Sequence, residues 1–348
     1  MRKAQILSRP TQPLTIDRNK SVAALLEKMA GISFQGRSLA TAYRIWKDML
    51  GDRVMIMMGM SGAMVPAGLR RVVVYLIQNR LIDCLVSTGA NFFHDIHETL
   101  GEKHYQCSPN IDDVMLQKAL VDRMYDVLAD ETKFREHDAF VGRFAADLDP
   151  SRPYTTREFL YLLGKELGKR ASEDGIVTAA AKARIPLYCP AIGDSSIGIG
   201  IAESRHLGKN RFTFDVVGDV LETARLAAES PASAVIYFGG GTPKNFVNQT
   251  EVTATFIRNS HSGHKYALQV VTDAPHWGGL SGCTFEESQS WGKIAHDAKM
   301  VTVHCDSTIA MPMLVTALSE YPTLIRKRKK PVFEVTGRDL RFSFPGRA

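Results

Sequence analysis

The run Gly278-Gly279-Leu280-Ser281-Gly282-Cys283-Thr284-Phe285-Glu286-Glu287-Ser288-Gln289-Ser290-Trp291-Gly292-Lys293-Ile294 brings together a glycine-rich loop, carboxylates, an indole and a lysine. Thr284 with Glu287 has the spacing of a helix capping box, and the pattern predicts a helix over 285–298. On such a helix Glu287 and Trp291 lie one turn apart on a shared face, and Gly292 leaves room beside Lys293. An amine could stack on the indole and pair with the carboxylate. A lysine withdrawn from water loses its proton more easily, and its free amine can attack an imine. The same spacing also fits plainer roles, with Glu287 as a cap, Trp291 as core and Lys293 as a surface charge.

A second set of residues follows β-rich runs. It comprises Met60-Ser61-Gly62-Ala63, Thr88-Gly89-Ala90-Asn91, Gly193-Asp194-Ser195-Ser196, Gly239-Gly240-Gly241-Thr242, Thr272-Asp273 and Asp306-Ser307-Thr308. Glycine lets backbone N–H groups approach a phosphate, hydroxyls donate to it, and a carboxylate can accept from ribose hydroxyls. A dinucleotide suits the set as a whole, although each member alone also suits a tight turn between strand and helix. The chain has no GxGxxG, Walker A, HExxH or GxSxG pattern, so it lacks the fingerprint of a standard nucleotide-binding dehydrogenase.

The elements that must position these residues are legible from periodicity. Strands are predicted at 53–59, 82–88, 186–192, 234–238, 266–272 and 300–305, most of them apolar on both faces as in Ala234-Val235-Ile236-Tyr237. Helical periods fall between them, at 66–78, 215–229 and 285–298. Strand alternating with helix predicts an α/β fold with a Rossmann-like parallel sheet covered by helices on both faces. Ligands of such sheets bind beyond the carboxyl ends of the strands, where the second set lies. The stretch 107–182 is mostly polar, reads as helical and is expected to pack outside the sheet as an insertion. The expected division is an N-terminal extension at 1–30, a catalytic domain at 31–325 and a basic tail at 326–348.

Composition bounds the class. With 348 residues, 45% apolar and 23% charged, the chain has the make-up of a folded globular protein. Its longest uncharged apolar stretch, Val54 to Leu69, is broken by Gly59, Gly62, Pro66 and Gly68 and is too short for a membrane span. The first residues lack the apolar segment of a secretion signal, so a cytoplasmic protein with no membrane partner is expected. Five scattered cysteines without CxxC spacing argue for reduced thiols. The net charge of +6 owes much to Arg326-Lys327-Arg328-Lys329-Lys330, read as a solvated tail or helix end, and no nucleic-acid partner is expected.

Ser290-Trp291-Gly292-Lys293-Ile294, followed by a strand ending at Asp306, resembles the active-site segment of deoxyhypusine synthases, with similarity from about residue 30 to 320. The triple glycine with Lys244, Pro190-Ala191 with Asp194, and Val86-Ser87-Thr88 with Asp95 add to the resemblance. It implies an NAD-dependent transfer of an aminobutyl group through an imine on Lys293. It also implies an amine site lined by Glu287, Trp291 and Asn245, and NAD along Ser61, Thr88, Gly89, Asp194, Gly240, Gly241, Thr272, Asp306 and Ser307. A homotetramer with sites at subunit interfaces is implied as well. No metal is expected: His94, His97, Glu98 and His104 form a candidate set, but the implied chemistry needs none and helix-borne histidines are usually structural.

The chain departs from the protein-modifying members of that family in its acids. Asn245 stands where they have histidine, and Ile199, Leu280 and His94 stand where they have carboxylates, while Asp273 stands where they have alanine. A charge-assisted bond to an ammonium contributes about 1.5–3 kcal/mol, so these exchanges should change the amine chosen. The favoured expectation is aminobutyl or guanidinobutyl transfer to a small acceptor, among putrescine, agmatine and spermidine, with Asp273 and Leu280 lining the altered pocket. The alternative is transfer from spermidine to a lysine of a translation factor precursor, a protein acceptor. A catalytically silent NAD-binding scaffold is a third possibility.

Overall fold

The run Met55–Met60 is buried at every position, which requires cover on both faces, and it forms the middle of a six-stranded parallel sheet. The computed structural model describes residues 5, 7–18, 20–260, 262–279 and 281–346. The strands of the main sheet are β1 (Met55–Met60), β2 (Cys84–Ser87), β6 (Leu187–Tyr188), β7 (Ser233–Phe238), β8 (His264–Val270) and β9 (Ile294–Val303). Their order across the sheet is β6-β2-β1-β7-β8-β9. The chain therefore leaves β1 toward one edge and later returns to its other side with β7, so the order reverses at the β1/β7 boundary. Register there is continuous from Met55↔Ser233 to Met60↔Phe238.

Alternate side chains of the strands feed two cores. One face sends Ile56, Met58, Leu85, Ile236 and Leu268 into a large cluster with the helices Phe34–Gly51, Arg70–Gln78 and Ser307–Ser319. The other sends Met57, Val86, Val235, Tyr237 and Ala267 against Leu226, Val247 and Phe285. The α/β fold with helices around a parallel sheet is therefore as expected from the periodicity.

Three expectations need correction. First, 107–182 is not wholly helical. It carries β4 (Val121–Met124) and β5 (Val127–Asp130), which pair across a Tyr125-Asp126 turn, and β5 pairs on its other side with β3 (Tyr105–Gln106) in a small antiparallel sheet. Strands this short hold too few residues to show a period of two. Nor does this segment all lie outside. Phe159, Leu160, Leu163 and Val177 from the helices Thr156–Leu167 and Ile176–Ala183 join the main core.

Second, residues 326–346 are not simply a solvated tail, although Arg326 and Lys327 do end the helix Pro322–Lys327 as the helix-end reading expects. Arg328 is buried and its guanidinium bonds Asp83, with Nη1 at 2.9 Å from Oδ1. The hairpin of β10 (Val332–Thr336) and β11 (Asp339–Ser343) then buries Phe333, Val335 and Leu340. A basic run thus conceals one cation that neutralises a buried aspartate. At the other end, Ala23 and Leu26 of the helix Val22–Met29 enter the core, so the folded unit begins before residue 31.

Third, the helix that starts at Phe285 ends at Ser290 rather than running to 298. Gly292 takes a left-handed φ of 69°, its N–H donates to Gln289 O at 3.0 Å, and the Lys293 N–H donates to Ser288 O at 2.9 Å. This pair of bonds closes a helix around a glycine that tolerates positive φ. The chain then enters β9.

Candidate active site

Each strand of the parallel sheet delivers one of the expected groups to its carboxyl end. Ser61 follows β1, Thr88 and Gly89 follow β2, Asp194 follows β6, Gly240 and Gly241 follow β7, Thr272 follows β8, and Asp306 and Ser307 follow β9. The structure therefore brings these residues to one edge of the sheet. At the β1/β7 boundary the Ser61 hydroxyl donates to Gly240 O. Asn91 ties the neighbouring loops, accepting from the Val65 N–H at 3.2 Å and donating to Gly62 O at 2.9 Å.

This edge fits a dinucleotide on its own geometry. The helices Gly89–Thr99, Ser196–His206, Gly241–Arg258 and Ser307–Ser319 all start here, turning their first-turn N–H groups and the positive ends of their dipoles toward this edge. Gly241 holds φ at 60°, and a Cβ added there would meet nothing within 4 Å, so its backbone faces open space. Asp306 caps its own helix through Oδ1, which accepts from Thr308 N at 2.7 Å and from Thr308 Oγ1 at 2.6 Å; Asp194 and Asp306 are both exposed.

Lys293 sits elsewhere. It precedes β9 at the amino end of the sheet, where its carbonyl accepts from the His264 N–H at 2.9 Å. The paired length of β8 separates that point from the strand ends by roughly 20 Å of backbone. The Lys293 side chain is only 5% exposed, and its Nζ lies 5.0 Å from the Trp291 ring centroid. Trp291 is not core: it caps the helix C-terminus and is 66% exposed. Glu287 completes the expected capping box, accepting from the Thr284 N–H at 2.7 Å, and is exposed. Asn245 is exposed on the first turn of the helix Gly241–Arg258. Ile199 is 57% exposed, and Leu280 lies outside the described residues.

Asp273 lines a cavity of about 210 Å³ together with Gln269, Glu286, Thr302 and His304. Its Oδ2 is buried and has no hydrogen-bond partner among the described residues. A carboxylate oxygen so placed carries uncompensated charge beside the cavity, which favours a cation there.

The histidines expected to be structural bond to one another. His94 Nδ1 is 2.9 Å from His104 Nε2, His104 Nδ1 is 2.7 Å from Glu98 Oε1, and His97 Nδ1 is 3.1 Å from His137 Nδ1. Among the described residues no group of three or more His, Cys, Asp or Glu is placed to hold a metal ion.

Sequence reading gave no role to Lys244 or Gln269. Lys244 is 2% exposed, and burial pulls its ammonium pKa down to about 8. Glu287 and Lys293 are both near enough to act on its charge, so Lys244 links the strand-end glycines to the lysine segment. The available signal was its place with Val247, Asn248 and Glu251 on one face of a helix, all of them buried.

The sequence profile of the family described as deoxyhypusine synthase matches residues 24–318. A "Probable deoxyhypusine synthase 2" of Methanosarcina acetivorans is 48% identical over 93% of each chain. A "Probable deoxyhypusine synthase 1" of the same organism is 36% identical, covering 90% of this chain and 96% of its own. A crystal structure of a deoxyhypusine synthase candidate from Entamoeba histolytica superposes with a TM-score of 0.61 at 18% identity, covering 88% of this chain and 96% of that one.

Proposed function

Because the chain belongs to the deoxyhypusine synthase family, whose members are NAD-dependent aminobutyl transferases, we propose that it moves a four-carbon amine or guanidine unit onto a small amine acceptor. When bound, NAD would supply a reversible hydride acceptor for the donor carbon next to nitrogen. The strand-end set would hold it: Gly240 and Gly241 give the backbone close approach, Ser61, Thr88 and Thr272 supply hydroxyls, and Asp194 and Asp306 supply acceptors.

The nucleophile in this reading is Lys293. Its Nζ attacks the imine carbon of the oxidised donor, a new C–N bond forms, and the old one breaks as the departing amine carries off a proton. The acceptor amine then displaces Lys293 by the reverse addition and elimination. Burial keeps water from the lysine-bound imine, and Trp291, 5.0 Å away, offers an indole face to a cation.

The observation that carries the choice of a small amine is the cavity of about 210 Å³ holding Asp273, whose lining does not include Lys293, Trp291 or Glu287 and which would take the end of the amine remote from the reacting carbon. Its size suits one alkyl chain with a cationic end. Asp273 would grip that end, and a guanidinium there could pair with it bidentately. Incubation with NAD and single amines, with products read by mass spectrometry, tests the reading. Agmatine or putrescine should serve as donor and acceptor at least as well as spermidine serves as donor. Robust transfer from spermidine to a translation factor lysine, with no product from agmatine or putrescine, would replace this reading with protein modification.

A further inference from the structure

Two fully buried side chains join the turn after β7 to the loop that feeds the lysine. Gln269 Nε2 donates to Gly239 O at 2.9 Å and to Ser281 O at 3.1 Å. Its Oε1 accepts from Lys244 Nζ at 2.8 Å. Lys244 Nζ donates in addition to Ser281 O at 3.2 Å and to Cys283 O at 2.6 Å. Two amide N–H groups and three ammonium N–H groups are thus all engaged. Among the described residues Lys244 makes no ion pair, so its charge rests on an amide oxygen and two backbone carbonyls. Burying an ammonium in this way costs several kcal/mol before those bonds offset it, which an apolar side chain would avoid. A role in placing backbone explains why a lysine stands there.

The two loops also touch directly. A Cβ on Gly240 would lie 2.6 Å from Ser281 O and 2.7 Å from Ser281 Cα. One turn beyond Lys244, Asn248 Nδ2 donates to Ser288 Oγ at 3.1 Å. The helix Gly241–Arg258 therefore grips the segment before Lys293 at Ser281, Cys283 and Ser288. From that point the capping box, the short helix and the Gly292 turn fix the course of the chain to Lys293.

We infer that Lys244 and Gln269 are positioning residues that lock the glycine turn of the cofactor edge to the loop before Lys293, so that filling either subsite orders the other. The inference rests on the reading of Gly239–Gly241 as cofactor turn and Lys293 as nucleophile. Coupling of this kind is reciprocal: NAD raises the affinity for the amine by the factor by which the amine raises the affinity for NAD.

Calorimetry on the full chain, with NAD and agmatine as probes, measures that factor. Saturating NAD should tighten agmatine binding about five-fold or more in the wild type. Lys244→Met and Gln269→Leu should each reduce the gain to less than about two-fold, and Lys244→Arg should restore part of it. Amide exchange on the ligand-free protein provides a second arm. The Gly239 N–H bonds Val270 O and the Gly282 N–H bonds Gly279 O, so both are measurable. In Lys244→Met and in Gln269→Leu both amides should exchange about ten-fold faster while those of β1 are unchanged. Undiminished coupling in both variants, or faster exchange confined to one loop, would overturn the inference. If the wild type binds neither probe, the reading of the site fails instead, and the exchange arm alone decides whether the lock exists.

Discussion

Adjacent glycines at the proposed cofactor edge should respond very differently to one added methyl. In Gly240→Ala the new Cβ would sit 2.6 Å from Ser281 O, whereas ordinary contact begins at 3.4 Å, so the Ser281 backbone must retreat by about 0.8 Å. Ser281 O accepts from Gln269 at 3.1 Å and from Lys244 at 3.2 Å, and the same retreat stretches both to about 4 Å, beyond hydrogen-bond range. Losing one neutral bond, at about 0.5–1.5 kcal/mol, and one charged bond, at about 1.5–3 kcal/mol, gives a destabilisation of about 2–4 kcal/mol. Gly241→Ala meets nothing within 4 Å and bears only the strain of a φ of 60°, about 1 kcal/mol. Urea unfolding at fixed protein concentration should therefore separate the two variants by about 1–3 kcal/mol, Gly240→Ala being the weaker. Equal stability, or the reverse order, would show that the Gly240–Ser281 contact yields without strain and that Lys244 and Gln269 do not hold Ser281 in place.

The remaining expectations concern chemistry and pH. Lys293→Ala should abolish transfer while leaving NAD affinity unchanged, and borohydride should trap an alkylated Lys293 in the wild type only; retention of most activity would remove the nucleophile assignment. Gly241→Val should keep the fold yet lose NAD binding at least ten-fold by calorimetry, and unchanged affinity would make the glycines simple turn residues. Asp273→Asn should raise the Michaelis constant for agmatine more than it lowers kcat, since a binding contact acts on ground and transition states alike; an equal fall in kcat and kcat/KM would place Asp273 in the chemical step. Burial, reinforced by neighbouring imidazoles, pushes His94 and His97 down to about 3. The unfolded chain takes up those protons near pH 6.5 and the folded chain only near pH 3, so the folded state loses about 2 kcal/mol per histidine between pH 7 and 5. Burial raises Asp219 to about 7, which works in the opposite direction between pH 7 and 4, so the loss should be read locally. Amide protection in Gly89–Thr99 should fall on moving from pH 7 to 5, and constant protection there would refute the neutral histidine cluster.

The order of strands and helices was legible because most main-sheet strands are runs of apolar residues on both faces, a pattern that double cover explains. The groups that follow those strands were legible for a related reason. In a parallel sheet every strand points the same way, so residues far apart in sequence, from Ser61 to Ser307, must arrive at one edge. Local chemistry also spoke plainly at Thr284 and Glu287, whose capping box is present as the spacing predicts. Gly292 carried a stop signal of equal strength, and its left-handed turn shortens a helix that periodicity alone extends to 298. Tertiary structure decided what depends on partners distant in the chain. Lys244 reads as one more cation until Gln269, Ser281 and Cys283 close around it, and Arg328 reads as part of a basic run until Asp83 draws it inside. In the sequence a charge looks solvated by default. Whether it is buried depends on long-range contacts that supply the oxygen atoms to replace its water, and those contacts exist only once the sheet has assembled.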